Sequence, residues 1–130
     1  MTLPTPLPNL GAVSADYDIL LCDVWGVIHN GRESWPDACG ALTRFNQEGG
    51  HVVLISNPPR PAHDVIAQLD GLGVPRDSWK AFVTSGDATR MELQRRAPGP
   101  VWIVGPERDA PLYAGLDLQR ADSVEDAATA

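Results

Sequence analysis

Two kinds of apolar pattern alternate along the chain and predict strands and helices in turn. Four short apolar runs predict strands because they are rich in aliphatic residues and end at polar residues or glycine. They lie at residues 18–23, 51–56, 81–84 and 101–104. The first run has no polar position between Ile19 and Cys22, which predicts a strand buried on both faces.

Apolar residues at helical spacing separate these runs. The clearest case predicts a helix from Pro36 or Asp37 to Glu48, stopped by two glycines. Further helices are expected from Pro61 to Leu69 or Asp70, and from a capping Ser85 to about Arg96. A short helix near residues 108–113 and a fifth strand at 116–118 complete the predicted order, and the proline-rich residues 1–16 predict an extended arm.

This order of strands and helices predicts an α/β fold with a doubly wound, Rossmann-like parallel sheet that is incomplete in this chain. Right-handed crossovers bring the carboxyl ends of parallel strands to one edge, where such folds bind ligands. The residues at those ends are small, polar or acidic: Asp23, Ser56, Asn57, Ser85, Gly86, Asp87 and Gly105. Their convergence predicts a functional site at this edge.

Composition narrows the functional classes. The 130 residues carry a net charge of −7, and the ten basic residues are scattered, which argues against nucleic-acid binding. No apolar stretch approaches the roughly 18 residues that cross a bilayer, and the first residues lack a basic signal-peptide region. Cys22 and Cys39 lack metal-ligand spacing and are interpreted as reduced, partly buried thiols. We therefore expect a cytoplasmic protein with no membrane partner.

The most informative carboxylate is Asp23. An aspartate at the end of a buried strand can attack phosphorus or carbon and form a covalent intermediate. A hydroxyl at the end of the neighbouring strand can hold the oxygens of the transferred group. Phosphoryl transfer to a carboxylate also calls for Mg²⁺, because carboxylate and phosphate repel each other.

Three strand-end motifs resemble those of the haloacid dehalogenase superfamily. They are Asp23-Val24-Trp25-Gly26-Val27, Val53-Leu54-Ile55-Ser56-Asn57 and Thr84-Ser85-Gly86-Asp87. The resemblance covers roughly residues 16–105 and is closest to the branch with a large cap after the second motif, subclass IIA. It implies that this chain is the N-terminal portion of a phosphatase-like hydrolase that acts on a small phosphorylated metabolite.

The resemblance also implies roles for individual residues. Asp23 corresponds to the nucleophile and a Mg²⁺ ligand, and the backbone carbonyl of Trp25 corresponds to a second metal contact. Ser56 and Asn57 correspond to phosphate-binding residues, and the main chain up to Gly26 lines the phosphate site. The implied domains are an arm at 1–16, an α/β core at 17–120, and a tail at 121–130 leading towards a cap.

Two departures from the family pattern limit the functional prediction. Phosphatases of the superfamily carry a second aspartate two residues after the nucleophile, where this chain has Trp25, and an indole cannot transfer the required proton. The later motifs are missing: Lys80 precedes a strand instead of following one, and Asp87 is expected to open a helix. His29 is interpreted as an exposed loop residue.

Three interpretations therefore stay open. The first is a Mg²⁺-dependent phosphomonoesterase acting through an aspartyl-phosphate, with this segment inactive alone. The second is a degenerate, non-catalytic relative that binds a phosphorylated ligand or a partner protein, and the third is a carbon–halogen hydrolase, whose halide leaves unprotonated. Homo-oligomer formation is not decided by the sequence.

Overall fold

Three strands form one sheet in the order β1-β2-β3 in the computed structural model, which describes residues 5–127. The strands are β1 (Ile19–Asp23), β2 (His51–Ser56) and β3 (Ala81–Thr84). β1 and β2 run parallel, with Leu21 opposite Val53 and Asp23 opposite Ile55. The predicted α/β fold with a parallel sheet is confirmed, and the second and third strands have the predicted bounds.

Within the described residues, three α-helices alternate with these strands. They are α1 (Pro36–Gln47), α2 (Ala62–Gly71) and α3 (Ser85–Arg96). Proline at the first position starts α1 without losing a hydrogen bond, and Gly49 ends it with a φ of +102°. α2 starts one residue later than expected, at Ala62. No helix in the part of the chain that the structure describes is long and apolar enough to cross a membrane.

The chain divides into two compact units. Residues 5–55 and 67–82 form the first unit, and residues 56–66 and 83–127 form the second. The core of the first unit includes side chains from the loop after β1, from α1, from β2 and from the end of α2: Val24, Ile28, Cys39, Leu42, Phe45, Val52, Leu54 and Leu69. In the second unit Val65, Leu93 and Val101 are buried.

The expectation that β1 is buried on both faces is wrong. Ile19 and Leu21 are 60% and 64% exposed, whereas Cys22 between Leu21 and Asp23 is buried. Side chains alternate across a strand, so one face of β1 packs into the core and the other faces outward. Exposed Ile55 and half-buried Val53 continue this outward face on β2.

The predicted fourth and fifth strands do not form. Val101 makes only an isolated parallel bridge with Arg120, and Leu116–Leu118 contains no strand. A strand needs a neighbour along its length, and the bridge gives residues 101–104 a neighbour at one position only. The short helix is a 3₁₀ helix at Glu107–Leu112.

Two local expectations also differ from the structure. The cap of α3 is Thr84 and not Ser85: the Thr84 hydroxyl accepts a hydrogen bond from the Asp87 amide at 3.0 Å, and Ser85 is already helical. Part of the expected extended arm forms 3₁₀ turns at Leu10–Ala12 and Ser14–Asp16. Residues 1–4 of the arm and 128–130 of the tail lie outside the described residues.

Candidate functional site

Asp23 is the last residue of β1 and carries its carboxylate on the exposed face of the strand. One carboxylate oxygen accepts a hydrogen bond from the Val24 amide at 2.7 Å, which fixes the direction of the side chain. The adjacent Cys22 thiol is buried, and its pKa is raised by burial, by the Asp23 charge and by Cys39. A thiol with a raised pKa is a poor nucleophile. The Asp23 carboxylate is therefore the better candidate nucleophile at this strand end.

The loop after Asp23 is a tight turn anchored in the core. Val24 and Ile28 are fully buried, and the Val24 carbonyl accepts hydrogen bonds from the amides of Val27 and Ile28 at 3.3 and 3.1 Å. Gly26 has a φ of +76°, a left-handed conformation that a side chain would strain. The anchors at Val24 and Ile28 hold this loop next to Asp23.

His29 is buried, and the expectation of an exposed loop histidine is wrong. It is 2% exposed, its ring contacts the Trp25 indole edge-on at 5.4 Å between centroids, and its Nδ1 accepts the Gly31 amide at 2.9 Å. Burial lowers the pKa of His29, which favours the neutral ring that this hydrogen bond needs. The tight turn folds residues 25–31 onto one another, so that the Trp25 ring and the Gly31 amide both contact His29.

Trp25 occupies the position two residues after Asp23 and is 62% exposed. Turn hydrogen bonds around it are accepted by the carbonyls of Val24 and His29. The indole packs edge-on against the His29 ring. The exposed indole therefore belongs to a residue that is two positions after the candidate nucleophile in the sequence.

A magnesium ion would find two oxygen donors in this loop, the Asp23 carboxylate and the Trp25 carbonyl. Mg²⁺ prefers oxygen ligands, keeps several waters, and often takes only one or two carboxylates from the protein. Within residues 5–127, no group of three or more histidine, cysteine or acidic residues is placed to hold a metal ion. The described residues therefore fit part of a magnesium site, not a complete protein cage.

Ser56 and Asn57 lie at the end of β2, in the second unit. Ser56 is the last strand residue and is 9% exposed, whereas Asn57 is exposed. Pro58 and Pro59 follow, and they end the strand because proline has no amide hydrogen to donate. The structure thus places both residues at the strand end that the sequence predicts.

Two further charged residues have structural contacts. Asp87 lies in the first turn of α3 and accepts the Ala62 amide at 3.1 and 3.2 Å, so it caps the start of α2. Lys80 donates from Nζ to the Gly50 carbonyl at 2.6 Å. These contacts agree with the interpretation of Asp87 as a helix-start residue and of Lys80 as a poor phosphate ligand.

The part that His29 plays in the loop is not predicted by the sequence. A usable signal was present in Asn30-Gly31, a turn dipeptide directly after it. The Asn30 side chain accepts the amides of Arg32 and Glu33 at 2.9 and 3.0 Å, as such turns do. The burial of His29 depends on Trp25 lying against it, and turn propensities do not encode that contact.

Known proteins share the sequence pattern and the fold of this chain. Residues 20–119 match the family of haloacid dehalogenase-like hydrolases. A haloacid dehalogenase-like hydrolase from Brucella suis 1330 is 38% identical, with a TM-score of 0.80 over 95% of this chain and 47% of that chain. A glycerol phosphate phosphatase from Mycobacterium tuberculosis, solved in complex with calcium, is 27% identical, with a TM-score of 0.56 over 88% of this chain and 33% of that chain.

The chain therefore spans less than half the length of either solved protein. A search of curated proteins gives no match.

Proposed function

The chain belongs to the haloacid dehalogenase-like hydrolases, and from that membership we propose that it carries the nucleophile of a Mg²⁺-dependent phosphomonoesterase. One observation supports this most directly: Asp23 ends β1 with an exposed carboxylate in a core-anchored glycine loop. The phosphatase from Mycobacterium tuberculosis, which is similar over 88% of this chain, supports the choice of a phosphate ester as substrate. The substrate class is a small phosphorylated metabolite.

In the proposed reaction an Asp23 oxygen attacks the phosphorus of the ester. A new oxygen–phosphorus bond forms as the bond to the leaving alcohol breaks, and the alcohol oxygen takes up a proton from water or from an acid in another part of the protein. Water then attacks the aspartyl-phosphate, releases inorganic phosphate and restores the carboxylate. The Val24 amide already binds one Asp23 oxygen at 2.7 Å, and the other oxygen would be the one that attacks.

The remaining assigned residues bind and orient the phosphate. Ser56 and Asn57 would donate hydrogen bonds to phosphoryl oxygens, and the main chain at Gly26 would line the same group. Asp23 and the Trp25 carbonyl would hold the magnesium ion. When bound, such an ion neutralises charge between the carboxylate and the phosphate.

Trp25 restricts the leaving groups that this chemistry can expel. Because an indole does not donate a proton to an alkoxide at neutral pH, the chain lacks the usual acid at that position. Substrates whose leaving group is already a weak base, such as aryl or acyl phosphates, are therefore expected to react fastest. Alkyl phosphates need an acid from another part of the protein or from water.

Replacing the nucleophile tests the proposal. Asp23→Asn is expected to lower Mg²⁺-dependent phosphate release by at least about a hundredfold, because an amide does not attack phosphorus. Release is measured from a panel of aryl, sugar and glycerol phosphates, with this chain and with a protein extended to the length of its relatives. We expect activity only in the extended protein, since two loop oxygens do not complete the metal site.

Asp18→Asn is the matched control, because Asp18 is an exposed carboxylate just before β1 and its side chain has no assigned role. It is expected to keep the wild-type rate. Full activity in Asp23→Asn would exclude Asp23 as the nucleophile. Absence of Mg²⁺-stimulated release from every ester in both proteins would exclude the phosphomonoesterase.

The presence of Trp25 in place of the usual aspartate also favours a second candidate, a carbon–halogen hydrolase, because a halide leaves without a proton. Halide release from a haloacid in the absence of Mg²⁺ would identify that reaction. Thermal stabilisation by sugar phosphates without any turnover would instead identify a non-catalytic phosphate-binding protein. Both outcomes are read from the same purified proteins.

A further inference from the structure

We infer that His29 is a positioning residue that holds the Trp25–Gly31 turn in the shape needed at Asp23; this inference rests on the proposed function. The turn contains the two main-chain features assigned to substrate and metal, the Gly26 backbone and the Trp25 carbonyl. His29 is the residue that ties both ends of it. It lies two residues beyond the Asp23-Val24-Trp25-Gly26-Val27 motif, and the sequence assigns it no role in the site.

The first tie is made by the main chain of His29. Its carbonyl accepts the Gly26 amide at 2.8 Å, which pins the residue that turns with a φ of +76°. The second tie is made by the side chain, whose Nδ1 accepts the Gly31 amide at 2.9 Å. Gly31 also has a positive φ, +86°. One residue thus satisfies the amides of both glycines at which the loop reverses.

The Trp25 indole packs against both His29 and Gly31. A Cβ on Gly31 would lie 2.6 Å from Cη2 of Trp25, so the indole lies directly over the glycine and leaves no room for a side chain. The indole also meets the His29 ring edge-on. Trp25, His29 and Gly31 are therefore one packed unit, and we name these three residues the loop clasp.

The burial of His29 defines what it can do. Because Nδ1 accepts a hydrogen bond, the single proton of the neutral ring lies on Nε2. At 2% exposure the ring is not available to give that proton to a substrate. His29 therefore does not replace the missing acid at Trp25, and it acts through the position of Trp25 and Gly26.

Two variants separate the hydrogen bond from the volume of the ring. In His29→Asn the side-chain oxygen can stand where Nδ1 stands and accept the Gly31 amide. In His29→Leu a side chain of similar bulk offers no acceptor. His51→Leu is the control, because His51 is an exposed histidine on β2 outside the loop clasp.

The rate of amide hydrogen exchange at Gly31 measures directly whether the loop clasp protects that amide. In His29→Leu, exchange at Gly31 is expected to speed up by roughly five- to tenfold relative to the wild type, because a partly buried donor loses its acceptor. His29→Asn is expected to stay within about twofold of the wild type, as is His51→Leu. Unchanged exchange in folded His29→Leu, or equal loss in folded His29→Asn, would overturn the inference.

If His29→Leu does not fold, the asparagine variant decides the outcome. It must then fold with Gly31 protected, and a folded protein with an unprotected Gly31 contradicts the inference. If neither variant folds, the role of the His29 acceptor in positioning a folded loop is rejected in favour of a purely structural one.

The effect on the site is read from the magnesium dependence of phosphate release in the extended protein. Half-saturating Mg²⁺ is expected to rise about tenfold in His29→Leu and to recover in His29→Asn, as when a group that orients a metal ligand is removed. Leu69→Ala, a core change outside the loop, lowers stability and is expected to leave half-saturating Mg²⁺ unchanged. A rise of the same size in Leu69→Ala would reduce His29 to a structural residue.

The two proposals can fail separately. If the wild type shows no Asp23-dependent phosphate release while the exchange pattern holds, the proposed function fails and the clasp stands as a structural feature of the loop. If Asp23-dependent release is found but half-saturating Mg²⁺ is the same in His29→Leu as in the wild type, the positioning role fails and the proposed function stands.

Discussion

At Gly86 two segments of the second unit approach each other closely. A Cβ there would lie 2.2 Å from the backbone oxygen of Arg60, a distance that real atoms do not reach. The Gly86 amide donates to the Pro58 carbonyl at 3.2 Å, and the Thr84 hydroxyl donates to the Arg60 carbonyl at 2.9 Å. The turn after β2 is thus held against the start of α3 by backbone contacts that need a glycine.

We therefore predict that Gly86→Ala destabilises the protein even though Gly86 lies in a helix. The backbone must move to admit a methyl group, and overpacking of this kind costs about 1–3 kcal/mol, occasionally more. Gly40→Ala in α1 is the control, since its Cβ would meet only the mobile end of Arg44 at 3.6 Å. That change is expected to raise stability by about 0.5–1 kcal/mol. Urea unfolding measures both, and equal effects would contradict the close approach.

At the scale of single residues, the sequence correctly predicted which residues lie at strand ends. It failed for His29, whose burial depends on a tertiary contact. Asp23, Ser56 and Asn57 lie at the ends of their strands because an apolar run followed by a polar residue marks that position. His29 was misplaced because its burial comes from Trp25 and from a hydrogen bond to Gly31. Propensity and periodicity carry no information on such a contact.

At the scale of elements, α3 shows how charge is arranged along an exposed helix. Glu92 lies one turn before Arg95 and Arg96 and accepts hydrogen bonds from both guanidinium groups. These hydrogen bonds lower the pKa of Glu92 to about 2 from an ordinary 4.5. The two arginines also lie in the last turn of the helix, where a positive charge interacts favourably with the helix dipole.

This arrangement predicts a specific acid sensitivity. Since the pKa of Glu92 is lower in the folded state, its contribution to stability is complete above pH 4.5 and is lost as the pH falls towards 2. Glu92→Gln should therefore show a smaller drop in unfolding free energy over that window than the wild type. The pairs are exposed, so about 1 M salt should shrink the difference. Identical pH dependence of the two proteins at low salt would contradict the prediction.

Two of the elements that the sequence predicted have both a period and a clear stop. β2 has β-branched residues bounded by glycines and prolines, and α1 has an apolar stripe between a proline and two glycines. The run at 101–104 has the composition of a strand, yet Val101 alone finds a bridge, to Arg120. Composition reports that a segment can be a strand, whereas a strand also requires a neighbour along its length.

At the scale of the whole chain, the uncovered side of the β1–β2 pair is the main departure from a finished α/β domain. Ile19, Leu21 and Ile55 are exposed there, whereas Cys22 and Leu54 on the other side are buried. An unbroken apolar run is what a strand covered on both faces needs. The sequence of β1 therefore suits a strand that is covered on both faces, and the chain spans 47% of the similar Brucella protein.

The two faces of this strand pair should respond very differently to one and the same substitution. Leu21→Thr is expected to change the unfolding free energy of this chain by less than about 0.5 kcal/mol, because Leu21 is already in water and threonine suits a strand. Leu54→Thr removes a fully buried side chain and buries a hydroxyl, and is expected to cost roughly 2–5 kcal/mol. Urea unfolding of the 130-residue chain measures both variants. A cost for Leu21→Thr comparable to that for Leu54→Thr would show that the outward face is covered in solution, and the same pair in an extended protein would then reveal whether the added chain covers it.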